Sequence, residues 1–174
     1  MTHALDYLTR QLEIAWRLTA YHLDGLTTEE CLWRPAATGP HVHPDGGGGW
    51  RADWPEEEGY HLGPPSIGWL TWHVAFWWSM TLEHSFGSAR LTREDVRWPG
   101  TADAIRGQIE RFHDEWRRKL GVLTDAELRR VDRTRWPIRD RPFGEVVAWV
   151  NVELMKNAAE IGYARFLFAT RPRS

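Results

Sequence analysis

Apolar residues recur every three or four positions in the long segments of this chain, which is the spacing of helices that bury one face. Residues 4–23 and 101–120 each show one apolar face, whereas residues 66–85 and 143–169 are apolar in most directions. Helices of the second kind are usually surrounded by protein. No strand pattern competes, so the pattern predicts an all-α four-helix bundle that forms one domain over residues 1–174.

A long polar segment, residues 36–65, separates the first and second long helices. It contains the glycine run 46–49 and several prolines, a composition that predicts an irregular insertion loop. Long loops of this kind in compact domains often carry function. We therefore expect its aromatic side chains Trp50, Trp54 and Tyr60 to fold over a pocket mouth as a lid.

Composition and charge exclude several classes of protein. The net charge is −2 and the basic residues are scattered among acidic ones, which argues against a nucleic-acid or anionic-membrane partner. The single cysteine, Cys31, allows no intrachain disulfide and suits a reducing cytoplasm, and no apolar run has the length to span a membrane. The sequence therefore predicts a cytoplasmic protein, in which some of the 12 tryptophans line a pocket or an interface.

His73 stands in the middle of an apolar, aromatic helical run over residues 66–78. A buried imidazole is costly unless it is hydrogen-bonded, bound to a metal or exposed to a wet pocket. Its position therefore indicates either a functional centre or a core histidine with a hydrogen-bonding partner.

The last predicted helix carries one polar stripe among apolar residues, and we expect the stripe to be internal and to face His73. Its members are Trp149, Glu153, Lys156, Asn157 and Glu160. Three interpretations remain open: a metal site, a proton-transfer site and a structural network in which Lys156 neutralises Glu153 or Glu160. A metal held by His73, Glu153 and Glu160 would be repelled by the Lys156 ammonium between the two carboxylates.

Three segments carry a resemblance to a known family: residues 26–35, which end in Trp-Arg-Pro, residues 66–75 around His73, and residues 160–162. With this order of helices, the chain resembles the DinB/YfiT-like metalloenzyme superfamily over nearly its whole length. The resemblance implies a four-helix bundle, often a homodimer, with a divalent metal such as zinc, nickel or iron held by three histidines. Some members use a thiol in transferase or isomerase reactions.

The resemblance assigns His73 to the family's ligand on the second long helix. On the last helix, Lys156 and Glu160 occupy the positions of the other two histidines, so the metal motif is degenerate and the remaining ligand set is His73, Glu160 and Glu153. The metal is therefore either retained by this altered set or absent. The pocket around the site is expected to contain Trp69, Trp77, Trp149 and Asn157.

Two functions follow from these residues. The first is a divalent-metal-dependent transferase or hydrolase that acts on a small molecule, with or without a thiol. The second is a metal-free small-molecule-binding protein, or an enzyme in which Lys156 and Glu153 transfer protons. A third possibility is a structural polar network, with the exposed tryptophans at an interface.

The other histidines are predicted to have no special role. His41 and His43 lie in the glycine-rich segment and read as a solvated loop, although their spacing resembles that of a metal-binding pair. His84 and His113 are expected to face solvent. His22 suits the C-terminal end of the first helix.

Overall fold

The structure, a computed structural model, describes residues 4–57 and 59–172. The secondary structure of these residues is mostly helical. Its helices and strands are α1 (Ala4–Leu23), α2 (Thr28–Leu32), β1 (Val42–Pro44), β2 (Trp50–Ala52), α3 (Ile67–Phe86), α4 (Ala102–Leu120), α5 (Asp125–Leu128) and α6 (Phe143–Thr170), with 3₁₀ turns at Tyr60–Leu62 and Arg93–Asp95.

The four long helices α1, α3, α4 and α6 form the predicted bundle, which confirms the all-α fold. Helix α6 packs against both α1 and α3, and α4 closes the other side of α3. The centre is filled by large side chains that are almost completely buried, among them Trp78, Trp116 and Phe143. Among the described residues, none of the helices is both long and apolar enough to cross a membrane.

The segment 36–65 is more ordered than its composition indicates. Strands β1 and β2 pair as an antiparallel hairpin within it, so the expectation of a wholly irregular loop was wrong. The Asp45 carboxylate accepts hydrogen bonds from the backbone N–H groups of Gly47 and Gly49, each at 2.9 Å. This side chain supplies the turn's hydrogen-bond acceptors, which lets a glycine-rich connection adopt one conformation.

The hairpin docks onto the N-terminal half of α3. Val42 is completely buried, and a Cβ atom on Gly68 would lie 2.6 Å from Val42 Cγ2 and 2.9 Å from the Cys31 carbonyl oxygen. Only glycine therefore lets the hairpin and α2 approach α3 so closely.

Two of the three predicted lid residues pack against the bundle. The Trp50 ring lies 5.0 Å from that of Trp98, and the Trp54 ring lies 6.2 Å from that of Trp72, both in edge-on arrangements. Tyr60 is fully exposed and takes no part in this packing. Trp54, just after the hairpin, thus covers one side of α3, whereas Trp50 packs on the connection between α3 and α4.

Cys31 lies in α2 with no exposed surface. Burial is the main cause that raises the pKa of its thiol to about 12, and the neighbouring Glu30 carboxylate contributes. Because the thiolate is the nucleophilic form of cysteine, this side chain is chemically inert in the folded protein.

Candidate functional site

His73 lies in the buried part of α3, and both of its ring nitrogens have protein partners. Its Nδ1 is 3.0 Å from Oδ1 of Asn157 on α6, and Trp77 Nε1–H donates to its Nε2 over 2.9 Å. Since the indole can only donate, Nε2 must carry the lone pair and Nδ1 the proton. These contacts assign His73 as a neutral imidazole with a fixed tautomer.

The electrostatic surroundings of His73 also favour the neutral form. Burial is the main cause that lowers its pKa to about 4, and the Lys156 ammonium acts in the same direction. The hydrogen bond to Asn157 and the charge of Glu153 oppose this shift without reversing it. The imidazole is therefore uncharged at neutral pH.

Asn157 is 1% exposed and joins His73 to the backbone of α6. Its Nδ2 donates to the Glu153 carbonyl oxygen over 2.7 Å, which turns its Oδ1 toward the imidazole. The ring of His73 also stacks on Trp69, with 4.6 Å between centroids. These contacts on separate sides hold the imidazole in one orientation.

Glu153 and Lys156 form an ion pair at the edge of this network. Lys156 Nζ lies 2.8 Å from Glu153 Oε2, and Trp149 Nε1–H donates to Glu153 Oε1 over 3.2 Å. The Glu153 side chain is 13% exposed and that of Lys156 is 48% exposed. This contact agrees with the interpretation of the polar stripe as a structural network, in which Lys156 neutralises Glu153.

The polar stripe of α6 is internal only in part, and the expectation that all of it would be buried was wrong. Asn157 is buried, but Lys156 and Glu160 are exposed. The protein around the Glu160 carboxyl group still desolvates it enough to raise its pKa, and the Glu153 charge adds to this effect. The stripe therefore runs from the core out to solvent.

A small cavity adjoins the network between α3 and α6. Its volume is about 10 Å³, which is room for about one water molecule. The lining residues are Val74, Trp77, Trp78, Val150, Glu153, Leu154 and Asn157. Of the predicted pocket residues, Trp77 and Asn157 line the cavity, whereas Trp69 and Trp149 belong to the aromatic packing around it. In this conformation the cavity does not admit an organic substrate.

The sequence profile of the DinB superfamily matches residues 11–161, a range that runs from α1 into α6 and includes the whole His73 network. The chain belongs to the DinB superfamily. No curated protein and no solved structure gives a significant match.

The side chains that the resemblance assigns to a metal, His73, Glu153 and Glu160, are not grouped around one point in this DinB-superfamily protein. No group of three histidine, cysteine, aspartate or glutamate side chains lies close enough to share one ion anywhere in residues 4–57 and 59–172. The two nitrogens of His73 are hydrogen-bonded, and the Lys156 ammonium occupies one oxygen of Glu153. This donor set does not fit a divalent ion.

One part of this DinB-superfamily site was not predicted from the sequence. Trp136, between α5 and α6, packs against Trp77 with 4.8 Å between ring centroids and against Phe76 with 5.6 Å. Trp149 also contacts Trp77, with 4.5 Å between ring centroids. Together these rings hold the Trp77 indole against His73. The sequence feature that could have predicted this role for Trp136 is the short apolar stretch Trp-Pro-Ile, which stands in an otherwise charged connection.

Two histidines outside the site are placed differently from the expectation. His113 is buried and stacks on Trp16 with 3.9 Å between centroids, and no described residue hydrogen-bonds to its Nε2. His41 is also buried, and its Nδ1 lies 2.8 Å from Ser66 Oγ. Both were wrongly expected to face solvent, whereas His43 is exposed as expected.

Proposed function

We propose that this DinB-superfamily protein functions without a metal, as a binding protein for a small organic molecule. The observation that carries the metal-free part of the proposal is the pair of hydrogen bonds at His73. A metal would need a lone pair of the imidazole, and the one at Nε2 is engaged by Trp77. The ion pair between Lys156 and Glu153 supports the same proposal, because it already places a positive charge beside a carboxylate that the cation would need. Because the cavity beside His73 has room for only about one water molecule, the organic molecule is expected to bind elsewhere on the protein.

The competing proposal is a divalent-metal-dependent transferase or hydrolase, with or without a thiol. It requires His73, Glu153 and Glu160 to converge on one ion. For that, Trp77 would have to leave the aromatic cluster and Lys156 would have to release Glu153. Each change removes a packed or charge-assisted contact, so the metal-bound arrangement is disfavoured for this sequence.

Metal analysis distinguishes these two proposals. Tag-free protein, as purified and after stripping and reloading with zinc, nickel or iron, is expected to contain much less than one metal ion per chain. Elemental analysis after gel filtration measures this ratio. The matched control is the double variant Lys156→His with Glu160→His, which restores the histidines implied by the family and is expected to gain metal. Near-stoichiometric metal in the unmodified protein that disappears in His73→Ala would overturn the proposal.

We also propose that the protein is a homodimer, joined through the outer faces of α1 and α6. Tyr7, Ile14 and Tyr21 follow one another at seven-residue spacing along α1, and all three are exposed. On α6, Val152, Tyr163 and Phe166 are more than half exposed. Because α1 packs against α6, these side chains belong to neighbouring faces, and apolar surface of this kind is typical of an interface.

The substitution Ile14→Glu is expected to convert the dimer to a monomer, because it places a charge in the middle of the α1 face. Light scattering coupled to gel filtration measures the mass in solution. Val122→Glu, at an exposed residue between α4 and α5, is the control and should leave the dimer intact. A monomeric unmodified protein at micromolar concentration would contradict this quaternary structure.

A further inference from the structure

A second, larger cavity lies between the hairpin and the 3₁₀ turn Arg93–Asp95. Its volume is about 290 Å³, which is near the lower end of the range for small-molecule sites. The lining residues are Arg51, Ala52, Trp54, Trp72, Arg93, Glu94, Val96 and Arg97. The residues of the His73 network do not line this cavity, which approaches them only through the aromatic packing of Trp54 and Trp72.

The cavity is positively charged in a protein whose net charge is −2. Its lining contains three arginines and one glutamate. The Arg51 side chain makes no hydrogen bond or ion pair with the residues that the structure describes, and Arg97 Nη1 lies 3.4 Å from Asp45 Oδ2. Most guanidinium N–H groups of these two arginines are therefore available to an anion. Both arginine charges help to lower the pKa of Asp45, after the backbone hydrogen bonds from Gly47 and Gly49, so this carboxylate offsets part of the positive charge.

Arg97 contacts Asp45 through Oδ2, the carboxylate oxygen that the turn does not use, and the distance of 3.4 Å makes this a long hydrogen bond. The Asp45 carboxylate serves mainly the backbone of the hairpin turn, where it accepts from Gly47 and Gly49. Arg93 forms an ion pair with its sequence neighbour Glu94, at 2.7 Å, in an exposed contact that contributes little stability. A ligand carboxylate or phosphate could therefore compete for these guanidinium groups.

Aromatic surface lies directly beside these charges. Trp54 is 38% exposed, and the Arg93 guanidinium carbon lies 4.8 Å from its ring centroid. The indole is braced from below by Phe76, with 5.3 Å between centroids, and by Trp72, whose Nε1–H donates to the Val96 carbonyl oxygen over 2.9 Å. The apolar wall is thus pre-formed, which reduces the entropic cost of binding.

We propose that this cavity binds a small organic anion, in which a carboxylate or phosphate group contacts Arg51 and Arg97 and a flat ring packs on Trp54. Guanidinium groups suit both oxyanions because their N–H donors match two oxygens at once. The volume fits a ligand of one or two rings. This inference rests on the proposed function, since it names the chemical class of the small molecule that the protein binds. It does not depend on the second part of that proposal, the absence of a metal at His73.

Calorimetric titration of the full-length protein tests this site with naphthalene-2-carboxylate and 2-naphthyl phosphate. Naphthalene-2-carboxamide has the same ring without charge, and inorganic phosphate has charge without the ring. Saturable binding of at least one aromatic anion is expected, at least about tenfold tighter than that of the amide or of inorganic phosphate. The tighter of the two anions identifies the oxyanion. Equal binding of anion and amide, or no anion binding up to millimolar concentration, would overturn the inference.

Variants locate the binding. Arg51→Gln with Arg97→Gln is expected to weaken anion binding at least about tenfold, because each arginine supplies charge-assisted hydrogen bonds. Arg106→Gln with Arg118→Gln, two arginines of α4 of which the first is half-buried and the second exposed, is the matched control and should bind like the unmodified protein. Thermal unfolding checks that both double variants fold. Unchanged affinity in the first double variant would refute the site, whereas bound metal would refute only the proposed function.

Discussion

Lowering the pH from 6.5 to 4 is expected to reduce the free energy of unfolding by about 3 kcal/mol through His73 alone. The pKa of His73 is about 4 in the folded protein, against 6.5 for the unperturbed group. Between these values the unfolded chain binds a proton that the folded protein excludes, so acid favours unfolding. Well above pH 6.5 both states are neutral at this residue, and its contribution to stability is fully retained.

Urea unfolding of metal-stripped protein across this pH range measures the effect. His22, His41 and His113 also have lowered pKa values, so they add to the acid sensitivity of the unmodified protein. The His73→Gln variant keeps these contributions and lacks that of His73. As the pH is lowered, the free energy of unfolding of His73→Gln should therefore fall less steeply than that of the unmodified protein, whatever its value at neutral pH. Parallel curves for the two proteins would show that His73 is not held neutral by the fold.

Replacing Trp72 with alanine is expected to cost about 3–5 kcal/mol of stability. Trp72 is 2% exposed and stacks on Phe76 with 5.3 Å between centroids. Its removal leaves a cavity under the hairpin and also deprives the Val96 carbonyl oxygen of its indole donor. Both losses act on the same wall of the arginine-lined cavity.

Chemical denaturation of Trp72→Ala and Trp72→Phe separates the two losses. The phenylalanine variant keeps much of the ring volume and removes the hydrogen bond, so it should lose about 1 kcal/mol plus a smaller packing term. If the alanine variant were no less stable than the phenylalanine variant, the hairpin would not be supported by packing on this ring.

The long helices could be predicted because burial imposes a period on the sequence. The segment that begins at Ser66 and the one that begins at Thr101 were both identified from a cap followed by an apolar pattern. The hairpin was missed because its order depends on contacts that leave no trace in composition, namely the two hydrogen bonds from the turn to Asp45 and the packing of Val42 on α3. A run of glycines is read as flexible unless such an acceptor is recognised.

The site was predicted in outline but not in its contacts. The sequence indicates that His73 needs a partner and that Asn157 belongs to the facing stripe. It also contains Trp77 one helical turn after His73, a spacing that places the two side chains on one face. That spacing was read as pocket lining, whereas the indole donates to the imidazole. Lys156 and Glu160 were expected to be buried because they lie on the same face of α6 as Asn157. The direction of a side chain around the helix axis does not reveal whether a neighbouring helix covers that position.

The burial of Cys31 has a practical consequence for work on this protein. A thiol with a pKa of about 12 and no exposed surface does not compete for alkylating dyes under native conditions. A cysteine introduced on the surface would therefore be the only reactive thiol, with the natural one left in place. Distance measurements between the hairpin and the bundle could then be made one label at a time without disturbing the packing of α2 on α3.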